Sequence, residues 1–373
     1  MNRRSEREPD YFLIAIVAII VIFGLVMLSS ASSVEGFQKF GDPNHFVKNQ
    51  LVAFVIGIFF FVIVSRIHYS LWQKYALPIM IVTLLLLVSV FLPGIGTGLM
   101  GANRWIKIGP VFFQPSEIAK LTFLIYLATW LDKRGDKIKD FSAGFWPFII
   151  ILSIMTILIM SQPDLGTMTV IGIIALSCYI VAGAPFLHLT LIGLGAGGVL
   201  ALLIRVAPYR LQRFTVFLNP ELDPQGIGYH INQALLAIGS GGLLGLGLGH
   251  SRQKFNYLPQ AASDSIFAVI AEELGFIFVV ILIGLFLVFM FRGFKIAKGA
   301  PNNFAKILAA GITAWFTFQA MINIGAMTGI LPLTGIPLPF ISQGGSSLVV
   351  SLAAIGIIVN ISKYAKETRS FWR

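Results

Sequence analysis

Residues 265–291 read SIFAVIAEELGFIFVVILIGLFLVFMF, 27 positions in which Glu272 and Glu273 are the only charged side chains. A helix rises about 1.5 Å per residue, so roughly 20 mainly apolar residues reach across a bilayer core. This run predicts a membrane-spanning helix. Working outward from it, similar stretches fall at 11–31, 46–66, 72–93, 116–131, 144–161, 166–183, 186–205, 305–330 and 345–362. The fourth is short and carries Glu117 and Lys120 within it. The first is too apolar and too long for a cleaved signal peptide, and Ser29, Ser30, Ala31, Ser32 and Ser33 read as its outer end. The expected fold class is an all-α polytopic membrane protein of about ten transmembrane helices, one domain over 1–373. Its long loop, about 206–264, joins the seventh and eighth helices.

Composition agrees. Of 373 residues, 57% are hydrophobic and 12% charged, against about 25% charged in soluble domains. Too little polar surface remains to cover a soluble globule, and disorder, a coiled coil and a disulfide scaffold are excluded as well. The single cysteine, Cys178, lies in an apolar run and reads as packing. The net charge of +11 does not point to nucleic acid once it is mapped. Seventeen lysines and arginines fall in the two termini and the connections at 66–74, 132–140 and 292–306; nine fall in the opposite connections, and Lys120 lies in a span. Basic residues favour the cytoplasm, which places both termini there. The loops at 94–115, 162–165, 206–264 and 331–344 then face outwards and hold most of the prolines. Within the long loop, GYHINQALLAIGSGGLLGLGLG at 228–249 suggests a structured, partly re-entrant segment beside a cavity, because irregular backbone near a membrane needs protein or water to satisfy it.

The glycines at 239–249 do not fit G-x-G-x-x-G, and no Gly-Lys-Ser/Thr follows them. His45, His68, His188, His230 and His250 have no metal-ligand spacing. Interest falls on charges that a membrane discourages. Asp264 either caps the following helix, as Ser263 also could, or presents a carboxylate to an outer cavity as a general base. Glu272 and Glu273 point about 100° apart and need different partners; a structural hydrogen-bonding role suits them. Glu117 and Lys120 form an i,i+3 pair, read either as mutual neutralisation or as Lys120 reaching a phosphate. Arg104 and Trp105 set a cation beside a ring, for interfacial anchoring or for stacking on a sugar. Arg210, Arg213, Arg252 and Lys254 add positive charge to the long loop, suited to a solvated face or an anionic substrate. Asp164 reads as a turn residue.

GANRWIKIGPVFFQPSEIAK at 101–120, SQPDLGT at 161–167, YRLQRFTVFLNPELDPQGIGY at 209–229, QALLAIGSGGLLGLGLGHSRQKFNYLP at 233–259, DSIFAVIAEELGF at 264–276 and NIGAMTGILPLTGIPLPFISQGGSS at 323–347 occur in that order. Together they resemble the SEDS family (shape, elongation, division and sporulation) over nearly the whole chain. GLGHSRQKFNYLP is more similar to the division branch than to the rod-elongation branch and leaves the sporulation branch open. The resemblance implies an inverting glycosyltransferase that polymerises lipid II, a disaccharide-pentapeptide on undecaprenyl pyrophosphate, at the outer face of the bacterial cytoplasmic membrane. It assigns the family's essential acid to Asp264, its tryptophan to Trp105 and its charged pair to Glu117 and Lys120. The family pattern YLPEAHTDFIFA reads YLPQAASDSIFA here, with Gln260, Ala262, Ser263 and Ser265 in place of other residues. The base is carried over and the replaced side chains are not.

On that reading, Asp264 accepts a proton from a sugar hydroxyl while undecaprenyl pyrophosphate departs. Lys120, Arg210, Arg213 and Lys254, or a divalent cation such as magnesium or manganese, would balance the leaving charge. No organic cofactor is expected. With no cross-linking domain in the sequence, the implied partner is a class B penicillin-binding protein, alongside other divisome or elongasome membrane proteins. Two alternatives stand: a lipid II flippase, whose polar residues would run through to both faces, and a non-catalytic divisome scaffold.

Overall fold

The computed structural model describes residues 7–93, 96–99, 102–108, 111–206, 215–219, 222–223 and 225–366. A helix occupies each of the ten apolar stretches. In chain order these are α1 (Tyr11–Ala31), α3 (His45–Arg66), α5 (Ala76–Ser89), α6 (Pro115–Arg134), α7 (Trp146–Met160), α8 (Leu165–Val181), α9 (Phe186–Val206), α11 (Ile266–Gly299), α12 (Asn303–Met327) and α13 (Gly345–Ser362). Between them lie the short helices α2 (Ser33–Phe40) and α4 (Tyr69–Lys74), and α10 (Ile227–Ser240) within the long loop. Six helices among the described residues are long and apolar enough to cross a membrane, and three shorter ones are apolar. The exception is α6, with Glu117 and Lys120 near its start and Asp132, Lys133 and Arg134 at its end.

Several boundaries follow from capping. Asp10 accepts from the Leu13 N–H at the start of α1, and Asn302 does the same for Ala305 at the start of α12. Each side chain satisfies one of the amides that a first turn leaves without a partner. Pro115, with no N–H to satisfy, opens α6. The bundle is built around α12, where 78% of the most apolar window is buried in protein, against 22% for α3. That contrast makes α12 the central helix and leaves α3 most of its apolar surface for lipid.

The chain's two ends meet: Arg7 N–H donates to the Lys363 carbonyl at 3.0 Å, and Asp10 N–H to Ser362 Oγ at 3.0 Å. At the same end the Arg292 guanidinium pairs with Asp10 at 2.7 Å and Lys363 Nζ donates to the Ser65 carbonyl at 3.0 Å.

A small feature was not foreseen from the sequence. Gly96–Leu99 (β1), Ala102–Ile108 (β2) and Val111–Phe113 (β3) form a three-stranded antiparallel sheet in the order β1-β2-β3. The sheet is tied to the start of α13, where Ser346 Oγ accepts from the Gln114 N–H at 3.3 Å.

The run 239–249 is structured, and it is interlocked with a break in α11. Gly275 has φ 77° and ψ −177°, outside the helical region. A break orphans carbonyls on one side and amides on the other. Residues 242–247 satisfy four of them: Leu246 and Gly247 donate to the carbonyls of Glu272 and Glu273, both at 2.9 Å, while Phe276 and Ile277 donate to Gly242 and Leu243 at 2.9 and 3.2 Å. The backbones approach so closely that a Cβ on Gly275 would lie 2.3 Å from Gly245 N. These glycines serve backbone packing between two protein segments, which is why they match no nucleotide-binding pattern.

Candidate functional site

Asp264 lies in the last turn of the loop before α11, half-buried. It does not cap the helix. Ser265 occupies the N-cap position without a side-chain cap bond, and the single Ser263 Oγ proton is shared between Gln260 Oε1 at 2.9 Å and Asp264 Oδ1 at 3.2 Å. The other oxygen, Oδ2, faces Gly335, where an added Cβ would lie 3.7 Å away. Gly335 has φ +68°, a left-handed conformation that glycine adopts without strain. A bare backbone therefore borders the carboxylate on that side.

The loop carrying Asp264 is held by parts distant in sequence. Gln343 N–H donates to the Ala262 carbonyl at 2.9 Å, and Ser342 Oγ to the Ser263 carbonyl at 2.5 Å. Asn323 Nδ2 on α12 donates to the Asp264 carbonyl at 2.7 Å and to the Ile336 carbonyl at 2.8 Å. His230 Nε2 on α10 lies 2.6 Å from Ser265 Oγ, which itself donates to the Pro259 carbonyl at 2.8 Å, so the ring supplies the proton. The sequence reading singled out none of Asn323, Ser342 and Gly335, and treated His230 only as a failed metal ligand. The available signal was a pair of amides, Gln319 and Asn323, one turn apart in a mainly apolar helix.

The same end of the bundle holds Arg104 and Asp164. The Arg104 Nε donates to the Gln162 carbonyl at 2.9 Å and its Nη2 to the Pro163 carbonyl, which fastens β2 to the turn before α8. Trp105 is half-buried next to it; neighbouring strand side chains point to opposite faces. Asp164 caps α8, with Oδ1 accepting from Thr167 N–H at 2.9 Å and Oδ2 from Thr167 Oγ1 at 2.8 Å, in keeping with a turn role. A Cβ on the next glycine, Gly166, would lie 3.2 Å from the Thr334 carbonyl, so this turn packs on the loop that borders Asp264.

Lys254 is placed differently from expectation. It was a candidate cation for a pyrophosphate, yet its side chain is buried and all three ammonium protons are engaged: Glu273 Oε1 at 2.9 Å, Ser30 Oγ at 2.9 Å and the Gly249 carbonyl at 2.8 Å. An ammonium has only three donors, so none is left for a substrate. Glu273 also accepts from Ser30 Oγ at 2.6 Å. Glu272 takes Ser251 Oγ at 2.5 Å and the Arg252 N–H at 2.9 Å. The two glutamates have different partners in one loop and pin residues 249–254 to α11. Arg252, between them, is exposed.

Glu117 and Lys120 do pair, at 2.8 Å, with both side chains buried. Lys120 Nζ also lies 5.1 Å from the Trp315 ring centroid on α12, a cation–π arrangement. Glu117 Oε2 and the neighbouring Ser116 Oγ have no hydrogen-bond partner among the protein atoms described. Mutual neutralisation is thus present, and no described contact joins the pair to Asp264. Arg210 and Arg213 lie outside the described residues. Among the described residues no three His, Cys, Asp or Glu side chains gather in one metal-holding group.

Against this geometry stand the similarities to known proteins. The FtsW/RodA/SpoVE family model, described as cell cycle protein, matches residues 10–367. A probable peptidoglycan glycosyltransferase FtsW of Trichlorobacter lovleyi is 41% identical over 362 residues, covering 96% of this chain and 95% of that one. Stage V sporulation protein E of Bacillus subtilis is 42% identical over 363 residues, covering 97% and 99%. Among solved structures, a chain of a peptidoglycan synthase complex, described for its structural coordination of polymerization and crosslinking, superposes with a TM-score of 0.80. It is 30% identical, covering 95% of this chain and 98% of that chain. The rod shape determining protein RodA of Thermus thermophilus gives a TM-score of 0.71 at 29% identity, with 96% and 98% covered.

Proposed function

We propose, on the premise that this chain belongs to the FtsW/RodA/SpoVE family of cell cycle proteins, that it is a peptidoglycan glycosyltransferase polymerising lipid II. It is a multi-pass membrane protein, and in this reading it sits in the bacterial cytoplasmic membrane with Asp264 at the outer face. The observation that carries the proposal is the half-buried Asp264, on a loop held by α10, α12 and the segment 342–343, with its carboxylate beside the glycine backbone at 335.

The reaction joins a sugar 4-hydroxyl to the anomeric carbon of a second lipid II. As the new C–O bond forms, an Asp264 oxygen accepts the hydroxyl proton. The bond between the anomeric carbon and the undecaprenyl pyrophosphate oxygen breaks with its electron pair, and the pyrophosphate leaves. Attack from the face opposite the leaving group gives inversion in one displacement, with no covalent sugar–enzyme intermediate. General-base assistance of this kind contributes about 10²–10⁴-fold. Arg210, Arg213 and Lys120 are the cations proposed to balance the departing charge; Lys254 is not among them, because its protons are engaged. Arg104 and Trp105 are proposed to border the sugar.

The proposed partner is a class B penicillin-binding protein, consistent with the similar structure from a complex that coordinates polymerization and crosslinking. Division and sporulation roles are not separated by identity, which is 41% to one relative and 42% to the other.

The test is polymerisation of labelled lipid II by the purified protein with its transpeptidase, beside an Asp264→Ala variant. Glycan polymer is expected from the wild type only. Equal polymer from a folded variant overturns Asp264 as the base, and translocation of lipid II without polymer from the wild type overturns the polymerase reading in favour of a flippase.

A further inference from the structure

Four consecutive residues, 262 to 265, are gripped from three parts of the chain, and one of the grips reaches both sides of the proposed site. Asn323 is 1% exposed in the last two turns of α12. Its Nδ2 donates to the carbonyl of Asp264 itself at 2.7 Å and to the carbonyl of Ile336 at 2.8 Å. A single amide group therefore fixes the distance between the residue bearing the base and the loop whose Gly335 backbone lies against its Oδ2. Neither carbonyl belongs to a helix or strand, so neither has a regular backbone partner to fall back on.

The neighbouring turn of the same helix provides a contrast. Gln319, four residues earlier on the same face, donates to the Pro337 carbonyl at 2.9 Å and accepts from Trp315 Nε1 at 2.8 Å. It holds the same loop as Asn323 but does not touch the Asp264 backbone. Support of the loop and aim of the carboxylate are thus divided between two amides one turn apart.

We infer that Asn323 is a positioning residue for Asp264, acting through the Asp264 carbonyl to hold its carboxylate beside the Gly335 backbone. This rests on Asp264 being the base. Ser342, which holds the preceding carbonyl of Ser263, acts in the same direction. A reacting group displaced by about 1 Å can lose about 100-fold in rate. Asn323 does not contact the bound sugar in this scheme, so its loss acts on turnover and not on substrate binding.

The experiment measures kcat and KM for labelled lipid II with the purified protein and its transpeptidase, for Asn323→Ala, Gln319→Ala, Ser342→Ala and Asp264→Ala. Asn323→Ala is expected to lower kcat by about 10- to 100-fold with KM unchanged, and Gln319→Ala to lower it at least about tenfold less. Wild-type kcat in folded Asn323→Ala overturns the inference, as do equal losses in Asn323→Ala and Gln319→Ala or a KM that rises in step with the fall in kcat. Should Asn323→Ala not fold, Ser342→Ala decides in the same way: a selective fall in kcat supports the inference and wild-type kcat overturns it. Asp264→Ala separates the two levels. If that variant polymerises, the base assignment has failed; if it is inactive while Asn323→Ala is fully active, only the positioning role has failed.

Discussion

Lys254 and Arg252 stand two residues apart in one basic stretch, yet one is buried among Ser30, Gly249 and Glu273 and the other is exposed. Nothing local distinguishes them. The difference comes from Ser30, more than two hundred positions away, and from Glu273 on α11. Removing one partner of a buried ion pair strands the other charge, at a cost of about 3–5 kcal/mol, whereas replacing both with apolar groups is often close to neutral. Lys254→Met is therefore expected to lower the thermal unfolding midpoint in detergent markedly, and Lys254→Met with Glu273→Leu to recover much of the loss. A Lys254→Met protein with an unchanged midpoint but weakened lipid II binding would return Lys254 to the substrate. Asp264 stood out as a candidate in the sequence because a carboxylate at a membrane boundary is conspicuous, and the family resemblance singled it out as the acid. Asn323 did not, since an amide in a helix shows its purpose only when both carbonyls it serves are in place.

At the scale of elements, the ten helices were readable because the solvent imposes the pattern: long apolar runs separated by charge. The sheet of β1, β2 and β3 was not, because its strands are short and include GTGL, which has little strand character of its own. The break in α11 escaped for a related reason. Glycine at 275 inside an apolar run reads as one more membrane residue, and only the segment 242–247 gives the break its hydrogen-bond partners. Two glycines of that helix should then behave oppositely. Gly275→Ala places a Cβ 2.3 Å from Gly245 N at φ 77° and ψ −177°; that essentially glycine-only backbone alone costs about 1–3 kcal/mol, and the overlap adds to it. Gly284→Ala meets nothing within 4 Å and gains up to about 1 kcal/mol of helix propensity. Thermal unfolding in detergent is expected to show a lower midpoint for the first and an equal or higher one for the second. A tolerated Gly275→Ala would mean that the interlock is not what holds the two segments together.

The whole molecule has two unlike ends. One gathers the chain termini, with Arg7, Arg292 and Lys363 at or near their junction. The other carries the sheet, the capped start of α8 and the Asp264 loop, and Gln50 at the α3 start holds it through the Gly344 N–H at 3.1 Å. A lipid-linked sugar keeps its tail in the bilayer while its head group reacts, so the proposed function requires the second end to face the compartment where glycan is assembled. By the preference of basic residues for the cytoplasm, the first end is expected to face it. Cys178, the native cysteine, is 0% exposed and gives little background to thiol labelling. Asn44→Cys, on the exposed turn leading into α3, and Asp136→Cys, fully exposed after α6, report on opposite ends. With a membrane-impermeant maleimide on intact cells whose outer barrier has been removed, Asn44→Cys should label at once and Asp136→Cys only after the membrane is opened. The reverse pattern would turn the molecule over and place Asp264 on the cytoplasmic side, where glycan strands could not be delivered to the wall.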